Sequence, residues 1–404
     1  MYALGLRCVR CSKKYPLKVM YKCVDCGGIL EVVYNYEQIN TVELRDKMTR
    51  KKKNYDLLPL EENVSVVMGE GWTPIVETKH LANQLGLSKV IFKCEFTNPT
   101  GSFKDRPISI GVSKALEFGY SRVVIASSGN AATAAAAYAA RAGLKSIVLV
   151  PESTPAEKIK QAAFYGACVI RVRGPYSNCF NLAKEAAEHL DLFNLTTTFI
   201  NPYTAEGNKT IAFELVDQLN GLVPDYVFVP IGSGPMMVGI YRGYVDYAAL
   251  GLIESLPRMI GVQAEGCDPI ARAFAEGAVE VEPLGNPNTI AGGICDGLWG
   301  YADDGTHTLN YIRRSEGYAL AVSDEEIKAA QAYLAQKEGL FVEPSGAAGV
   351  AGLVKSASGG MIGADSCAVV ILSGHGLKDM RVLGEFDIPA IENDVRELIK
   401  IVED

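Results

Sequence analysis

One lysine lies in a setting that favours chemistry over simple solvent exposure. Residues 98–106 read NPTGSFKDR, so Lys104 follows a Gly-Ser-Phe turn and precedes an Asp-Arg pair. A lysine reacts as a nucleophile only after it loses its proton, and partial burial of a restrained side chain promotes that loss. Considered alone, Lys104 would be interpreted as an exposed lysine at the start of a helix. Its interpretation therefore depends on the other motifs of the chain.

Polar residues at a second junction could bind an anion or a ring substituent. The sequence SSGN at 127–130 stands between an apolar run typical of a buried strand and an Ala-rich helical segment. Free N–H groups at a helix start attract negative groups, and the side chain of Asn130 adds a donor. The alternative is an ordinary helix cap made by the same residues. Ser127, Ser128 and Asn130 are therefore candidate site residues.

Two glycine-rich turns complete this set. Residues 230–235, PIGSGP, join a predicted strand to a predicted helix, an arrangement in which backbone donors and the helix dipole cradle phosphate. The segment is neither a Walker loop nor a complete dinucleotide fingerprint, which indicates a mononucleotide-sized phosphate. In residues 372–379, LSGHGLKD, the hydroxyl of Ser373 could hydrogen-bond a ring nitrogen. A reactive lysine, a phosphate cradle, an amide and a hydroxyl are together what a pyridoxal phosphate site requires.

Four of the ten cysteines form a separate motif near the N-terminus. Cys8 and Cys11, and then Cys23 and Cys26, make two CxxC turns that could place four thiolates around one zinc ion. With four protein ligands such an ion would be structural, because no coordination position stays open for chemistry. The alternatives are a module that has lost its metal and an oxidisable cysteine pair. The six other cysteines are expected to be buried as small hydrophobic residues.

Composition excludes several classes of partner. The 404-residue chain has a net charge of −8, which disfavours binding to nucleic acid or to an anionic membrane surface. The one basic cluster, residues 50–53, is expected to be a solvated face of a linker. No apolar run reaches the roughly 20 residues needed to span a bilayer, and the N-terminal MYALGLRCVRC lacks a signal-peptide core. A cytoplasmic enzyme acting on a small molecule is the expectation.

Apolar runs and helical patterns alternate from about residue 66 onward. This alternation predicts an α/β protein with two doubly wound open sheets, and ligands at the carboxyl ends of their strands. The predicted strands fall at 88–96, 121–127, 145–151, 168–174, 225–232, 257–266 and 368–376. The predicted organisation is a cysteine module over 1–36 resembling a zinc ribbon, a linker over 37–65 and a catalytic region over 66–404. Within the catalytic region, a small domain of about 107–200 would be inserted in a large domain formed by 66–106 and 201–404.

With these motifs in this order, the chain resembles the fold-type-II pyridoxal-phosphate enzymes, the tryptophan synthase beta-like superfamily, and within them the threonine synthase family. The resemblance rests on NPTGSFKDR at 98–106, SSGNAATAAAAYAARAG at 127–143, NPYTAEGNKTIAFE at 201–214, EPSGAAGVAG at 343–352 and SGHGLKD at 373–379. The cysteine module resembles an extension found in some members. The resemblance implies pyridoxal phosphate as cofactor, an amino acid as substrate and a homodimer.

The resemblance also implies a role for individual residues. Lys104 would hold the cofactor covalently and later move protons at the Cα and Cβ atoms of the substrate. Asn130 would bond the O3′ atom of the cofactor, and Ser373 would face its pyridine nitrogen. The cup for the cofactor phosphate would be Gly232, Ser233, Gly234 and Met236. The candidates for contact with the substrate are Thr100, Ser127, Ser128 and Asp296, of which Asp296 could instead be a simple turn residue.

Three departures from the family pattern concern the substrate. Thr204 stands where threonine synthases usually carry an arginine that clamps the substrate phosphate, and a threonine cannot make that two-pronged contact. Pro107 and Ile108 replace a usual Gly-Met pair. Residues 289–297, TIAGGICDG, resemble the corresponding segment of threonine and serine ammonia-lyases.

The resemblance implies conversion of O-phospho-L-homoserine and water to L-threonine and phosphate as the preferred reaction, and the three departures keep an alternative open. The first alternative is an ammonia-lyase or β-replacement enzyme acting on threonine, serine, diaminopropionate or O-phosphoserine. The second is a zinc-ribbon binding protein whose catalytic half is inactive. The intact Lys104 and the acidic charge balance argue against that second alternative.

Overall fold

The computed structural model describes residues 2–49, 55–384 and 388–403, so the basic cluster at 50–53 lies outside the described residues. Strands form three separate sheets, with orders β2-β1-β3, β12-β11-β10-β13-β5-β4 and β8-β7-β6-β9. The strands are β1 Ala3–Cys8, β2 Lys14–Tyr15, β3 Leu30–Tyr34, β4 Ile75–Glu77, β5 Lys89–Lys93, β6 Arg122–Ala126, β7 Lys145–Pro151, β8 Cys168–Val172, β9 Phe193–Asn194, β10 Tyr226–Pro230, β11 Arg258–Ala264, β12 Tyr318–Val322 and β13 Cys367–Ile371.

Helices connect most of these strands. They are α1 Thr41–Thr49, α2 Lys79–Leu85, α3 Asp105–Glu117, α4 Asn130–Ala142, α5 Ala156–Phe164, α6 Tyr176–His189, α7 Pro202–Glu206, α8 Lys209–Gln218, α9 Pro235–Ala249, α10 Pro269–Ala275, α11 Ala302–Arg314, α12 Asp324–Glu338, α13 Pro344–Ser358 and α14 Val395–Glu403. Within the described ranges, no helix combines the length and the apolar character that crossing a membrane requires.

The six-stranded sheet is parallel except at β4, which pairs antiparallel with β5 at the edge. Its strands are buried on both faces, because successive residues belong to different cores. In β10, Val227 and Val229 contribute to the core under α8 and α9, whereas Phe228 contributes to the core under α12 and α13. A sheet covered in this way must be apolar on both sides, which explains the uninterrupted apolar runs in the sequence.

The four-stranded sheet is entirely parallel and is formed within residues 122–194. One face packs on α4 and α5 and the opposite face on α6, so that Val123 and Val124 of β6 enter different cores. The Ala-rich sequence of α4 permits its close approach to α3 and to the sheet, because a small side chain buries little volume. Two open sheets with helices on both faces confirm the predicted fold class.

The cysteine module is a small antiparallel sheet that packs against the rest of the chain. Tyr34 of β3 donates a hydrogen bond of 2.7 Å to the Glu206 carboxylate, and Arg242 donates one of 2.8 Å to the Val32 carbonyl. The following segment, predicted as a linker, contains α1 and contributes Leu58 to a cluster with Ile110 of α3. Described residues of both segments therefore contact the rest of the chain.

The topology places several loops at one edge of each large sheet. Lys104, the 127–130 segment, the 232–236 segment and Ser373 all follow the carboxyl ends of strands, namely β5, β6, β10 and β13. Because parallel strands present their carboxyl ends on the same side, these loops converge.

Candidate active site

A cavity of about 640 Å³ lies where these loops converge. Its walls include Lys104 and residues from both large sheets, as well as the 292–299 loop and the 377–379 turn. Of the residues proposed from the sequence, the cavity wall contains Lys104, Ser127, Ser128, Asn130, Gly232, Ser233, Gly234, Met236, Asp296 and Ser373. It does not contain Thr100.

The turn before Lys104 is held by hydrogen bonds on both sides. Thr100 donates from its backbone and from its hydroxyl to the Asp105 carboxylate, at 2.7 and 2.6 Å. The Phe103 N–H donates to the carbonyl of Ser373 at 2.9 Å, which ties this turn to the end of β13. Thr100 therefore shapes the turn, and its predicted contact with substrate stays a prediction.

Arg106 fixes the position of the start of α3 through buried ion pairs. Its guanidinium donates to both oxygens of Glu95 at 2.6 and 2.7 Å and to both oxygens of Glu214 at 2.6 and 2.7 Å. Lys93 adds a further bond of 2.7 Å to Glu214, and all four side chains are buried. Two-pronged pairing of this kind fixes orientation as well as distance. The Asp-Arg pair in NPTGSFKDR thus holds the helix start that carries Lys104.

The amine of Lys104 is aimed into the cavity and is not paired closely with a carboxylate. Its Nζ donates to the Thr197 hydroxyl at 2.8 Å and lies 4.7 Å from the centroid of the Phe103 ring. Burial lowers the pKa of Lys104 to about 8, although Asp296 and Glu343 oppose this effect. A pKa near 8 makes the neutral, nucleophilic amine accessible near neutral pH.

The amide of Asn130 is oriented by a buried carboxylate. Its Nδ2 donates to the two oxygens of Glu343 at 2.9 and 3.2 Å, and the Glu343 N–H donates to the carbonyl of Gly374 at 2.9 Å. Burial raises the pKa of Glu343, and the hydrogen bond from Asn130 opposes that change. Both contacts go to one carboxylate group, so a single N–H shared between its two oxygens would leave the second N–H of Asn130 for a group in the cavity.

The turn at 232–234 leaves no room for a side chain at Gly234 and little at Gly232. Gly234 has a φ of +97°, and a Cβ on it would lie 2.3 Å from Cγ2 of Thr308. A Cβ on Gly232 would lie 3.1 Å from the Cβ of Asp296. Position 234 therefore requires glycine, because of both its positive φ and its close approach to Thr308. The turn opens directly onto the N-terminus of α9, where free N–H groups and the helix dipole favour a phosphate.

Asp296 lies beside this turn with its carboxylate partly satisfied. Its Oδ1 accepts from the Tyr301 hydroxyl at 2.6 Å and from the Leu298 N–H at 3.1 Å. Burial raises the pKa of Asp296, and the hydrogen bond from Tyr301 opposes that change. The aspartate thus braces the 296–301 loop and also faces the cavity.

The hydroxyl of Ser373 has unused hydrogen-bonding capacity. The residue is buried, and within the described part of the chain its hydroxyl makes no hydrogen bond. Because Ser373 lines the cavity, its hydroxyl is available to donate to or accept from a ligand group. The four features, namely the desolvated lysine, the oriented amide, the glycine-rich turn at a helix start and this hydroxyl, fit pyridoxal phosphate.

Four residues of the site were not predicted as site residues from the sequence. Thr197 follows the short strand β9, and Glu343 precedes α13, so neither lies in a glycine-rich turn. Lys158 and Lys378 also reach the cavity wall. The available signals were the EPSGAAGVAG segment, which Glu343 begins, and the SGHGLKD segment, which contains Lys378. Thr204 instead is buried in α7, where its hydroxyl donates to the carbonyl of Asn201, and it does not line the cavity.

The four N-terminal cysteines lie together. Their sulfur atoms are all within 4.8 Å of one another, with 3.4 Å between Cys8 and Cys26 and 3.6 Å between Cys11 and Cys23. Tetrahedral zinc with Zn–S distances of about 2.3 Å separates its sulfur ligands by roughly 3.8 Å. A Cβ on Gly28 would lie 2.8 Å from the Cys8 sulfur, so glycine is required beside the cluster. The donor set and spacing fit a zinc ion.

The amino-acid sequence is similar to those of known pyridoxal-phosphate enzymes. Residues 66–374 match the family described as "Pyridoxal-phosphate dependent enzyme". The threonine synthase of Methanocaldococcus jannaschii is 42% identical over 380 residues, covering 92% of each chain. That of Mycobacterium tuberculosis is 40% identical over 326 residues, covering 80% of this chain and 87% of the relative.

A solved threonine deaminase, from the organism abbreviated T.th., is similar in fold, with 26% identity and a TM-score of 0.64 over 78% of this chain and 94% of that one. Family members use pyridoxal phosphate, so the predicted cofactor is confirmed. The chain belongs to the threonine synthase family of pyridoxal-phosphate-dependent enzymes.

Proposed function

We propose that this protein is a threonine synthase, which converts O-phospho-L-homoserine and water to L-threonine and phosphate. The observation that carries the proposal is the 42% identity to the Methanocaldococcus jannaschii threonine synthase across 92% of both chains. The aimed, desolvated Lys104 in a cavity with a phosphate-binding turn supports it.

The residues that would hold the cofactor are those that face the cavity from the strand ends. Lys104 would hold it covalently, and Asn130, oriented by Glu343, would donate to its O3′ atom. Ser373 would contact the pyridine nitrogen. A neutral hydroxyl there leaves that nitrogen largely unprotonated, which suits elimination chemistry. The phosphate would lie in the turn formed by Gly232, Ser233, Gly234 and Met236.

Lys104 would also carry the protons of the reaction. Pyridoxal phosphate, when bound, supplies an electron sink for the carbanion at Cα. With a pKa of about 8, the Nζ of Lys104 can accept a proton from Cα or Cβ and return one later. Thr197 restrains this amine through its hydrogen bond of 2.8 Å. Ser127 and Ser128, before the start of α4, would bind the substrate carboxylate, with Asp296 near its amine and Thr100 supporting the turn.

We also propose the organisation of the chain that the sequence predicts. The small domain would be the region of about 107–200 that contains the four-stranded sheet, inserted in a large domain of 66–106 and 201–404. Residues 1–36 would form a zinc module through Cys8, Cys11, Cys23 and Cys26, and 37–65 would connect it to the catalytic region. The working form would be a homodimer in the cytoplasm. Size-exclusion chromatography with light scattering checks the dimer.

A second candidate function is supported by one observation. In the described part of the chain, no arginine lines the cavity, although the substrate of a threonine synthase carries a phosphate. The second candidate is an ammonia-lyase or β-replacement enzyme acting on threonine, serine, diaminopropionate or O-phosphoserine. The first three of these substrates carry no phosphate and need no such clamp. The fold similarity to a threonine deaminase is compatible with this alternative.

A substrate panel separates the two candidates. Purified holoenzyme is incubated with phosphohomoserine, phosphoserine, threonine, serine and diaminopropionate, and phosphate, ammonia and ketoacid are quantified. The proposal expects phosphate and threonine from phosphohomoserine, and neither these products nor the visible absorption band from Lys104→Ala. Ketoacid from an amino acid, with no phosphate from phosphohomoserine, would establish the alternative.

A further inference from the structure

The cationic side chains of the cavity wall have different surroundings. Within the described residues, the wall contains four lysines, Lys104, Lys158, Lys160 and Lys378, and neither arginine nor histidine. Lys104 is assigned to the cofactor and to proton transfer. Lys160 is exposed, and at two residues from Lys158 it points to another side of α5. Lys158 and Lys378 are the partly buried cations that remain.

We propose that Lys158 and Lys378 together bind the phosphate that leaves the substrate, in a subsite between α5 and the 377–379 turn. The inference rests on the proposed function, because it takes a phosphorylated amino acid as the substrate. It assigns the task of a phosphate clamp to two lysines from different parts of the fold.

Crossed contacts bring these lysines together. Lys158 and Gln161 lie three residues apart on α5 and therefore share one helix face. The Lys158 Nζ is 3.6 Å from an oxygen of Asp379, while the Lys378 Nζ donates to the Gln161 Oε1 at 3.1 Å. The same face of α5 thus contacts two consecutive residues of the 377–379 turn, and both lysines line the cavity wall where these elements meet.

The Lys158 ammonium lies close to the 292–299 loop of the cavity wall. A Cβ on Gly292 would lie 3.0 Å from its Nζ, so the ammonium lies close above this loop. An ammonium has three N–H donors, and the 3.6 Å contact with Asp379 is longer than a good charged hydrogen bond. Lys158 therefore keeps donors available for an anion.

Of the two lysines, Lys378 is the one without a carboxylate close to its ammonium group among the residues that the structure describes. Its one hydrogen bond in the described structure goes to the neutral amide of Gln161, and no carboxylate there lies within ion-pair distance. Burial lowers the pKa of Lys378, with Glu343 and Asp105 opposing. An ammonium that has lost water without gaining a close carboxylate gains more from an incoming dianion than an exposed lysine does.

The subsite would act during loss of the leaving group. When the Cγ–O bond of phosphohomoserine breaks, the oxygen keeps both electrons and negative charge on the departing phosphate increases. Two ammonium groups placed around that oxygen stabilise the charge where it develops, which lowers the barrier to elimination. The carboxylate end of the substrate is served separately by the start of α4, so the two anionic groups would have separate subsites.

Direct phosphate binding tests the pair without relying on turnover. Inorganic phosphate is titrated into holoenzyme, whose cofactor site is filled, and the affinity is measured by calorimetry. Lys158→Gln and Lys378→Gln should each weaken binding about 10- to 100-fold, the effect expected for loss of a charge-assisted hydrogen bond. Lys158→Arg and Lys378→Arg, which retain the charge, should bind within a few-fold of wild type. The matched control is Lys184→Gln on the exposed face of α6, which should bind as wild type does.

The outcomes separate this inference from the proposed function. Unchanged phosphate affinity in Lys158→Gln and Lys378→Gln, or equal losses in the Arg and Gln variants, would overturn the subsite. Wild-type kinetics with phosphohomoserine in the double Gln variant would also overturn it while leaving the function intact. Lysine-dependent phosphate binding by a holoenzyme that releases no phosphate from phosphohomoserine would support the subsite and refute the function.

Discussion

Arg106 is the residue through which the fold holds the start of the helix that carries the reactive lysine. It is buried and pairs with Glu95 and Glu214, each through two hydrogen bonds. Arg106→Met keeps the length and volume of the side chain roughly constant while it removes the charge. Glu214 would keep its ion pair with Lys93, but Glu95 would keep only the neutral donors Thr73 and Asn98.

The magnitude follows from the burial of these carboxylates. Removal of one partner from a buried ion pair costs about 3–5 kcal/mol, because it leaves an uncompensated charge. Burial by itself would raise the pKa of Glu214, but Arg106 and Lys93 hold it at about 2, against an ordinary value of 4.5. At about 1.4 kcal/mol per tenfold change in proton affinity, this difference stabilises the folded protein by roughly 3 kcal/mol at pH 7.

The sign of the pH dependence is fixed by that lowered pKa. The folded state binds fewer protons than the unfolded state between pH 4.5 and about 2, so the stabilisation is present above this window and is lost as pH falls through it. Arg106→Met should therefore lower the free energy of unfolding by about 3–5 kcal/mol at pH 7, and its deficit relative to wild type should shrink at acid pH.

Urea denaturation followed by circular dichroism and by visible absorption measures both effects. Arg258→Met is the matched control, because Arg258 is half exposed and its pair with Glu316 spans 4.0 Å, so less than about 1 kcal/mol is at stake. Arg106→Met combined with Glu95→Gln should recover part of the loss, because the unpaired carboxylate is removed. A deficit no larger than that of Arg258→Met, or one that does not change with pH, would refute the reasoning.

Two further substitutions test other parts of the structure. Gly234→Ala would place a Cβ 2.3 Å from Thr308 in a turn with positive φ. It should weaken cofactor binding at least tenfold in a titration followed by visible absorption. The control, Gly251→Ala, has a φ of +65° and no atom within 4 Å of the added Cβ, so it should cost only about 1–2 kcal/mol of stability and leave cofactor affinity intact. Cys8→Ser should abolish zinc binding in metal analysis and lower the melting temperature, whereas Cys168→Ser, at an exposed lone cysteine, should do neither. Equal cofactor affinity in the two glycine variants, or full zinc content in Cys8→Ser, would contradict these expectations.

The parts of the fold that sequence predicts well are those with the strongest burial. Strands β5, β6, β7 and β10 lie inside sheets covered on both faces, so their apolar runs are uninterrupted and were predicted within a few residues. Strand β12, Tyr318–Val322, lies at a sheet edge and was not predicted, whereas β8, Cys168–Val172, at the edge of the other large sheet, was. The antiparallel β4 has three residues, too few for a periodic pattern.

Some residues of the site could be predicted from local sequence and others could not. Turn chemistry marks Lys104, Asn130 and the 232–234 turn, because glycine and small polar residues directly after a buried strand indicate a turn whose backbone groups can bind a ligand. Thr197 carries no such local signal, yet it lies 93 residues from Lys104 in sequence and contacts its amine. Glu343 lies 213 residues from Asn130 and orients its amide. Contacts of this kind depend on how the two sheets face each other, which no local pattern encodes.

The same desolvation that makes Lys104 reactive should make the cofactor-free protein less stable. Its pKa is lowered by burial from 10.5 to about 8, so below pH 8 the folded state must hold a charge that the unfolded state hydrates freely. The unfolded state binds more protons between pH 8 and 10.5, so stability rises with pH across that window. This difference amounts to at most about 3 kcal/mol, and less because the side chain is partly exposed.

Lys104→Met, which removes the charge and keeps the chain length, should therefore stabilise the cofactor-free protein at pH 7 by about 1–3 kcal/mol. Its advantage over wild type should vanish as pH rises from 8 to 10.5, because the wild-type amine is then neutral in both states. Lys184→Met, at an exposed lysine, should change stability little at any pH. Denaturant titrations from pH 6 to 10.5 supply the comparison. A Lys104→Met protein no more stable than wild type at pH 7 would mean that the amine is well solvated, and the desolvation on which its reactivity depends would have to be abandoned.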